Sequence, residues 1–581
     1  MEITGEQRDF LEAEGKVVLC AVPGSGKTFI VAKKLLKYLD KWPYQHRGVA
    51  ALSFTNVASD EIKRQAQEIS PEFTTIPYPH FSGTLDSFIN NFILLRFGYL
   101  MQTDNRTRPT IIHENYGELS LFSRDARCYK KMCTQHPEWF HWSSNGLLKD
   151  NKPIDCDVNP KPCVAYKRSL LKKGIVIQRE VASLSLRLLQ KNPQIATELA
   201  YRFPVIIVDE AQDTSQEQMD ILGCLAQAGV QSLILVGDPD QALYEWRDAT
   251  PEYFTNKIND PNWNSMYLTA NFRSSQAICN AVKPFSSILA DKAPATARGE
   301  DALYPDKPIL FRVTKGKSRD DVVRAFLDLC KEKDIPISNE HVAILTRGRI
   351  HSDTDIPDIW KTPETKSLAT ATYFWYCSNR KEAYRLCEKM LFSIIIGNVE
   401  NLSQMEIRQQ AEIKMPLNKW NSTVIELLKL LPLPTISVRA WKESLITSLA
   451  SLITAGTITV YDGRTATDII KVKRSDKKHP QFLDRAMMDY FEKKSSSSIT
   501  VSSVHGVKGE TFSAALLIID STTGANALTP TILNTGALDS ELIRIAYVAM
   551  TRPRKLLAVS IPKSSKALAR FPTDIWDYID L

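Results

Sequence analysis

Three stretches of this chain carry residue types that together could transfer a phosphoryl group. In AVPGSGKT, Ala21 to Thr28, the apolar run Val17 to Cys20 leads into a glycine-bearing turn, and a helix is expected from Phe29 to Leu39. Backbone N–H groups of such a turn point at a phosphate, Lys27 reaches the β/γ-phosphates, and the Thr28 hydroxyl can hold Mg²⁺. Ala21 stands where the common pattern has its first glycine, so Gly24, Gly26, Lys27 and Thr28 carry the match, with Ser25 between the glycines. Downstream, VIIVDEAQDT is a strand that delivers Asp209 and Glu210 at its C-terminal end, the usual ligand position in an open α/β sheet. Asp209 can hold Mg²⁺ through water, and Glu210 can polarise the water that displaces a γ-phosphate. Acids after a strand are common, but paired with the upstream phosphate loop they point to nucleoside triphosphate hydrolysis. The next strand ends in LILVGDPDQALYEWRDA, where Gln241 is placed to sense a γ-phosphate and Tyr244, Trp246 and Arg247 follow.

Holding these residues requires parallel strands. Val17–Cys20, Val49–Phe54, Val205–Val208 and Leu233–Val236 are short apolar runs without alternation, which suits a parallel sheet covered on both faces. Ile309–Val313, His341–Leu345, Ile499–Ser502, Ala515–Ile519 and Leu557–Ser560 imply a second α/β core, and two such cores make one cleft. The expected division is a first core from residues 1–87 and 201–266 and a second from 267–345 and 495–581. Residues 88–200 and 346–494 are insertions, the latter with helical periodicity over Thr423–Leu431 and Val438–Ile453. The Ser-rich Lys494–Ser498 suits a linker or an ordinary loop, and no internal repeat is visible.

At 581 residues the chain has room for several domains, because single cores stop growing at about 250–300 residues. A net charge of +7 is mildly basic and decides nothing about a nucleic-acid partner. The apolar stretch Phe92–Met101 is too short for a membrane span and contains Arg96. The N-terminal MEITGEQRDF has no basic or apolar leader pattern, so a cytoplasmic protein with no membrane association is expected. Cys128, Cys133, Cys156 and Cys163 are spaced poorly for a structural zinc site, and free thiols are the better expectation.

Gln7, AVPGSGKT, SFTN at 53–56, VDEAQDT, VGDPDQALYEWR, LTANFRSS at 268–275, SVHGVKGETF at 503–512 and ELIRIAYVAMTRPRKLL at 541–557, in that order, resemble the UvrD/Rep/PcrA group of superfamily 1 helicases. The resemblance implies an α/β fold of two RecA-like parallel-sheet cores with mainly helical insertions. It implies ATP and Mg²⁺ as ligands. Gln7 would read the adenine edge and Phe272 would stack on the base. Lys27, Thr28, Asp209, Glu210 and Gln241 would surround the phosphates and metal, and Arg273 and Arg552 would reach in from the second core as arginine fingers. Single-stranded DNA would run along Phe54, Thr55, Asn56, Gly83, Thr84, Tyr244, Trp246, Arg247 and His505.

Departures from the family pattern bear on individual contacts. The family usually has Lys-Gly-Leu-Glu-Phe where this chain has Lys508-Gly509-Glu510-Thr511-Phe512, so the ribose-binding acid, Glu510, stands one place early. If the segment is extended, that shift turns the side chain to the opposite face. Leu85 and Asp86 replace an aromatic and a histidine expected on the strand track, and Ser521–Asp539 is expected to be a long loop. The resemblance implies an ATP-dependent 3′–5′ helicase or translocase acting on single-stranded or tailed DNA. A nucleotide-gated DNA-end sensor and a DNA repair helicase are the alternatives. Few residues follow the last motif in this sequence, so a nuclease domain of its own is not expected. Compact chains of this kind resemble the helicase-like subunits of Gabija-type anti-phage systems, which work with a separate nuclease of the OLD/TOPRIM type.

Overall fold

The computed structural model describes residues 3–40, 42–72, 75–102, 108–112, 140–143, 146–149, 152–153, 162–243, 251–347, 359–397, 404–473, 482–491, 499–519, 527–565 and 568–581. Its frame is two six-stranded sheets, parallel throughout. The first contains β1 (Lys16–Ala21), β2 (Val49–Ser53), β3 (Phe81–Thr84), β4 (Val205–Asp209), β5 (Ser232–Gly237) and β6 (Asn264–Leu268), ordered β6-β1-β5-β4-β2-β3. The second contains β7 (Ile309–Val313), β8 (Val342–Thr346), β9 (Thr500–Ser503), β10 (Phe512–Ile518), β11 (Pro553–Pro562) and β12 (Asp577–Asp580), ordered β9-β8-β10-β11-β7-β12.

Central strands β2, β4, β5 and β8 are buried along their whole length, because helices cover both faces of a parallel sheet. Apolar residues on opposite faces of the first sheet therefore belong to separate clusters. Val18, Leu52, Ile206 and Leu235 pack on one side, and Val17, Leu19, Ile207 and Val236 pack on the other. The Lys27–Asp40 helix starts at the end of the phosphate loop and closes the second of these faces through Ile30, Val31 and Leu35.

Between β8 and β9 lies a helical unit with its own core, in which Trp420, Trp441, Leu391 and Leu445 are fully buried. The described part of residues 88–200 carries helices and also short strands, Thr110–Ile112 against Ile175–Ile177 and a hairpin ladder from Phe140 to Pro153. The expected loop Ser521–Asp539 is corrected in part: Pro530–Thr535 is a helix. Thr529 caps it by accepting from the Ile532 N–H at 3.2 Å, Pro530 takes the first turn, and Leu533 is buried in the second core.

Candidate nucleotide and nucleic-acid site

The C-terminal ends of β1, β2, β3, β4 and β5 share one edge of the first sheet, and apart from Gln7, in the helix before β1, every candidate residue of the first core lies at or just after one of them. After β1 the chain turns through Gly24 and Gly26, at φ 75° and 74°, and enters its helix at Lys27. Gly24 serves a second purpose. A Cβ there would stand 2.4 Å from Asn271 Oδ1 and 2.7 Å from the Arg273 Cβ, so only glycine lets the loop pack on the segment that leads into the second core. The Phe272 N–H donates to the Gly24 carbonyl at 2.7 Å across that contact.

Gln7, the expected adenine reader, is buried beside the loop. Its Nε2 donates to the Ser25 carbonyl at 3.0 Å, and its Oε1 accepts from the Thr4 N–H at 3.1 Å in the capping box of the first helix. Phe272 lines a cleft of about 520 Å³ together with Thr4, Arg298, Gly299, Glu300 and Arg554, large enough for a base.

At the end of β4, Glu210 sits in the left-handed region at φ 55°, a conformation a non-glycine residue adopts only when its surroundings enforce it. The enforcing contacts are visible. Lys27 Nζ donates to Glu210 Oε1 at 2.7 Å, and Gln212 Nε2 donates to Glu210 Oε2 at 2.5 Å. Burial pushes the Glu210 carboxyl up, but the charges of Lys27 and Lys508 outweigh it and hold the group at about 2. Lys27 is likewise desolvated, and Glu210 and Asp209 hold it protonated. Asp209 lacks such a partner. Burial raises it to about 6 against the pull of Lys27, and its Oδ2 has no hydrogen-bond partner among the described residues. A buried carboxylate oxygen without a donor, beside the Thr28 hydroxyl, fits a hard divalent cation such as Mg²⁺.

The second sheet brings cations to the same edge. Arg552, buried at the start of the Pro553–Pro562 strand, donates from Nη2 to Gln241 Oε1 at 2.9 Å, and Gln241 Nε2 donates to Asp238 Oδ2 at 2.5 Å. Burial depresses Arg552 to about 10, while Asp238 and Glu210 favour its charge. Arg273 donates to the Thr551 carbonyl at 3.1 Å, next to Arg552, and is depressed by burial and then by Arg552 and Arg554. Lys508 Nζ reaches Asp213 Oδ2 at 2.6 Å. Asp240 accepts from the Ser286 hydroxyl at 2.5 Å and the Ser287 N–H at 3.0 Å. Arg544 donates to the Ala242 carbonyl at 2.9 Å, and Leu243 is buried in the second core's cluster. The segment from Asp238 to Leu243 thus starts in the first core and ends inside the second.

Glu510 departs from the extended geometry that its register implied. Gly509 at φ 93° turns the chain, the Glu510 N–H donates to the Val507 carbonyl at 3.0 Å, and the strand starts only at Phe512. The Glu510 side chain is exposed, while its carbonyl accepts from Arg552 Nη1 at 3.4 Å.

Among the strand-track residues, Thr55 and Thr84 are N-caps, accepting from the N–H groups of Ala58 and Ser87 at 3.1 and 3.0 Å. Phe54 is half-buried, Asn56 is exposed, and His505 is half-buried on a short 3₁₀ turn, Val504–Val507. Leu85 is a core residue, and Asp86 accepts from Gln218 Nε2 at 2.7 Å. Tyr244, Trp246 and Arg247 lie outside the described residues, as do Cys128, Cys133 and Cys156.

The sequence reading assigned no role to Gln212 or Asp213, although both stand in VDEAQDT. Each is almost fully buried, and a polar side chain directly after an active-site strand was the available signal.

Comparison with known proteins agrees with this geometry. Residues 3–262 match the family model of the UvrD/REP helicase N-terminal domain. The Gabija protein GajB of Bacillus cereus (strain VD045) is 27% identical over 418 residues, covering 70% of this chain and 72% of that protein. The ATP-dependent DNA helicase PcrA of Staphylococcus aureus (strain Mu50 / ATCC 700699) is 24% identical over 319 residues, 50% of this chain and 41% of that protein. A probable DNA helicase II homolog of Mycoplasma capricolum is 24% identical over 288 residues, 47% of this chain and 39% of that protein. The match thus spans less than half the length of each of these last two relatives. A phosphate loop, paired acids and a cross-core arginine thus meet on one sheet edge, in a chain whose residues 3–262 match the UvrD/REP helicase N-terminal domain and which is similar to GajB and PcrA.

Proposed function

We propose that this chain is an ATP-driven motor that moves 3′ to 5′ along single-stranded DNA, opens tailed duplex, and serves anti-phage defence beside a separate OLD/TOPRIM-type nuclease. The observation that carries the motor reading is the Arg552–Gln241 hydrogen bond. It joins the second sheet to Gln241, whose partner Asp238 is linked through the Gln212 amide to Glu210 and so to Lys27.

In this reading, residues 1–87 with 201–266 and residues 267–345 with 495–581 are the two motor cores, and the intervening segments are insertions. Lys27 leaves Glu210 to neutralise the β/γ-phosphates, which frees the Glu210 carboxylate to accept a hydrogen bond from the attacking water. Asp209 and Thr28 hold Mg²⁺, which when bound neutralises charge on the phosphates. Arg552 and Arg273 place positive charge where the γ-phosphoryl group leaves, and Gln241 reports its presence. Phe272 offers a stacking face to the base. Gln7 fixes the loop beneath it, and the exposed Glu510 is free to meet the ribose. Phe54, Thr55, Asn56, Thr84, Tyr244, Trp246, Arg247 and His505 form the DNA track, stacking on bases and binding phosphates.

Similarity to GajB over most of both chains supports the defence role and the separate nuclease, and with them a cytoplasmic setting. Among the described residues no helix is long and apolar enough to cross a membrane.

The test is strand displacement on 3′-tailed and 5′-tailed duplexes beside an ATPase assay, with Glu210→Gln as the chemical control. Displacement of the 3′-tailed substrate alone is expected, and Glu210→Gln is expected to bind ATP and lose turnover by about 10³-fold or more. DNA-stimulated ATPase with no displacement on either substrate gives the function to an end sensor. Co-purification without a nuclease favours a repair helicase.

A further inference from the structure

Gln212 is fully buried, and its amide joins two of the cation contacts that cross between the cores. Its Oε1 accepts from the Asp238 N–H at 3.1 Å, and the Asp238 side chain holds Gln241 and through it Arg552. Its Nε2 donates to Glu210 Oε2 at 2.5 Å and also faces Asp213 Oδ2 at 3.4 Å, the oxygen that Lys508 grips at 2.6 Å. The fit is close. A Cβ on Gly237 would stand 2.4 Å from Gln212 Oε1, so β5 must end in glycine for the amide to lie there.

We propose that Gln212 is a positioning residue that aligns Glu210 for hydrolysis only while Lys508 of the second core is docked on Asp213. This rests on the reading of Glu210 as the residue that orients the attacking water. The physical reason is the isolation of Asp213, which is 1% exposed and whose other oxygen, Oδ1, has no hydrogen-bond partner among the described residues. With Lys508 withdrawn, that carboxylate is a buried charge stripped of a close cation. It then draws the Gln212 amide, its nearest remaining donor, away from Glu210. A carboxylate released from one of its two donors swings from its fixed orientation. Lys508 follows directly on the Val504–Val507 turn that carries His505, so the same loop stands between the strand track and the chemistry. Core closure would therefore align the base as well as deliver the arginines.

The experiment measures ATP turnover in saturating single-stranded oligonucleotide for the full chain and for Lys508→Ala, Lys508→Arg, Gln212→Ala, Asp213→Asn and the Lys508→Ala/Gln212→Ala double variant. Lys508→Ala and Gln212→Ala are each expected to lower kcat about tenfold or more, with KM for ATP within about threefold. Lys508→Arg should restore most of the loss, and the double variant should be no slower than the worse single one, because both act on one relay. Melting temperatures accompany each rate. If Gln212→Ala does not fold, Lys508→Ala and Asp213→Asn with their double variant decide the matter in its place. Wild-type kcat in Lys508→Ala, or losses that multiply in the double variant, would overturn the relay. Glu210→Gln is run alongside: if it hydrolyses ATP normally, the assignment of Glu210 fails, whereas an inactive Glu210→Gln beside a fully active Lys508→Ala rejects the relay alone.

Discussion

Asp209 keeps a buried carboxylate oxygen that meets no donor among the described residues, and its neighbour Glu210 keeps a backbone conformation that an ordinary loop would relax. Both are unfavourable in the free protein; Lys27 and Gln212 hold Glu210 in place, and the unpartnered Asp209 oxygen suits a bound cation. The Asp209 carboxyl is raised to about 6 from an ordinary 3.8, chiefly by burial. The sign is therefore destabilising. The unfolded chain ionises this group near pH 4 and the folded chain only near pH 6, so its contribution to stability falls as pH rises through that window and the deficit is complete above it. Asp209→Asn can still accept from the Glu210 N–H and offers its amide N–H to Thr28, so it removes the deficit without leaving a new orphan. In chelator at pH 8 the variant is expected to be more stable than the wild type by about 1–2 kcal/mol, with the gain shrinking toward pH 5. Denaturant melts at the two pH values check this, and an equal or lower midpoint at pH 8 rejects the assignment. The same variant should lose Mg²⁺-dependent ATP turnover, as expected where strain is stored at a site of chemistry.

Elements, rather than single residues, decide whether the arginines can act. Arg552 stands at the start of β11, the strand beside β7 and β10 in the second sheet, and Arg273 follows the short Ala270–Asn271 strand after β6. Both are desolvated, so each guanidinium is held near the cleft at a cost that binding of phosphate charge offsets. Arg552→Ala or Arg273→Ala is therefore expected to cut kcat by about 10³-fold while ATP affinity changes only a few-fold. Nucleotide titrations beside steady-state rates separate the two effects, and normal turnover in both variants rejects the cleft as the site of catalysis. The elements also show what a sequence exposes. Apolar runs announced β1, β2, β4, β5, β7, β8, β10 and β11, because strands buried on both faces must be apolar throughout, and the run Ile499–Ser502 announced the edge strand β9. β3, β6 and β12 escaped notice for the converse reason. They are sheet edges, half-exposed along most of their length, and FSGT, NSMYL and DYID carry too few apolar residues to stand out. The phosphate loop and paired acids were legible because their chemistry fixes residue type and spacing. The contacts of Gln212, and those of Gln7 with Ser25 and Thr4, were not, since an amide's partners depend on which donors and acceptors the fold places around it.

At the scale of the whole molecule, the question is how a strand of DNA reaches a phosphate it never touches. The Asp238–Leu243 segment answers part of it. Asp238 lies at the end of β5 in the first core, Gln241 meets Arg552, the Ala242 carbonyl meets Arg544, and Leu243 is buried among second-core residues. A movement of one core against the other must therefore move this segment, and with it the Gln241 amide. Trp246 follows Leu243 by three positions, and a base stacked on it would gain about 1–3 kcal/mol. That energy is available to favour the closed arrangement only if stacking and closure occur together, since a ligand shifts an equilibrium by its differential affinity and no more. Trp246→Ala is accordingly expected to flatten the rise of ATPase rate with oligonucleotide concentration and to slow translocation more than it weakens ATP binding. The measurement is rate against oligonucleotide concentration at fixed salt, because phosphate contacts make affinity salt-dependent. If saturating oligonucleotide stimulates the variant as fully as the wild type, Trp246 is only a packing residue. The coupling then runs through another cross-core contact on this edge, the Val504–Val507 turn and Lys508, where alanine at His505 should abolish the stimulation that Trp246→Ala leaves intact.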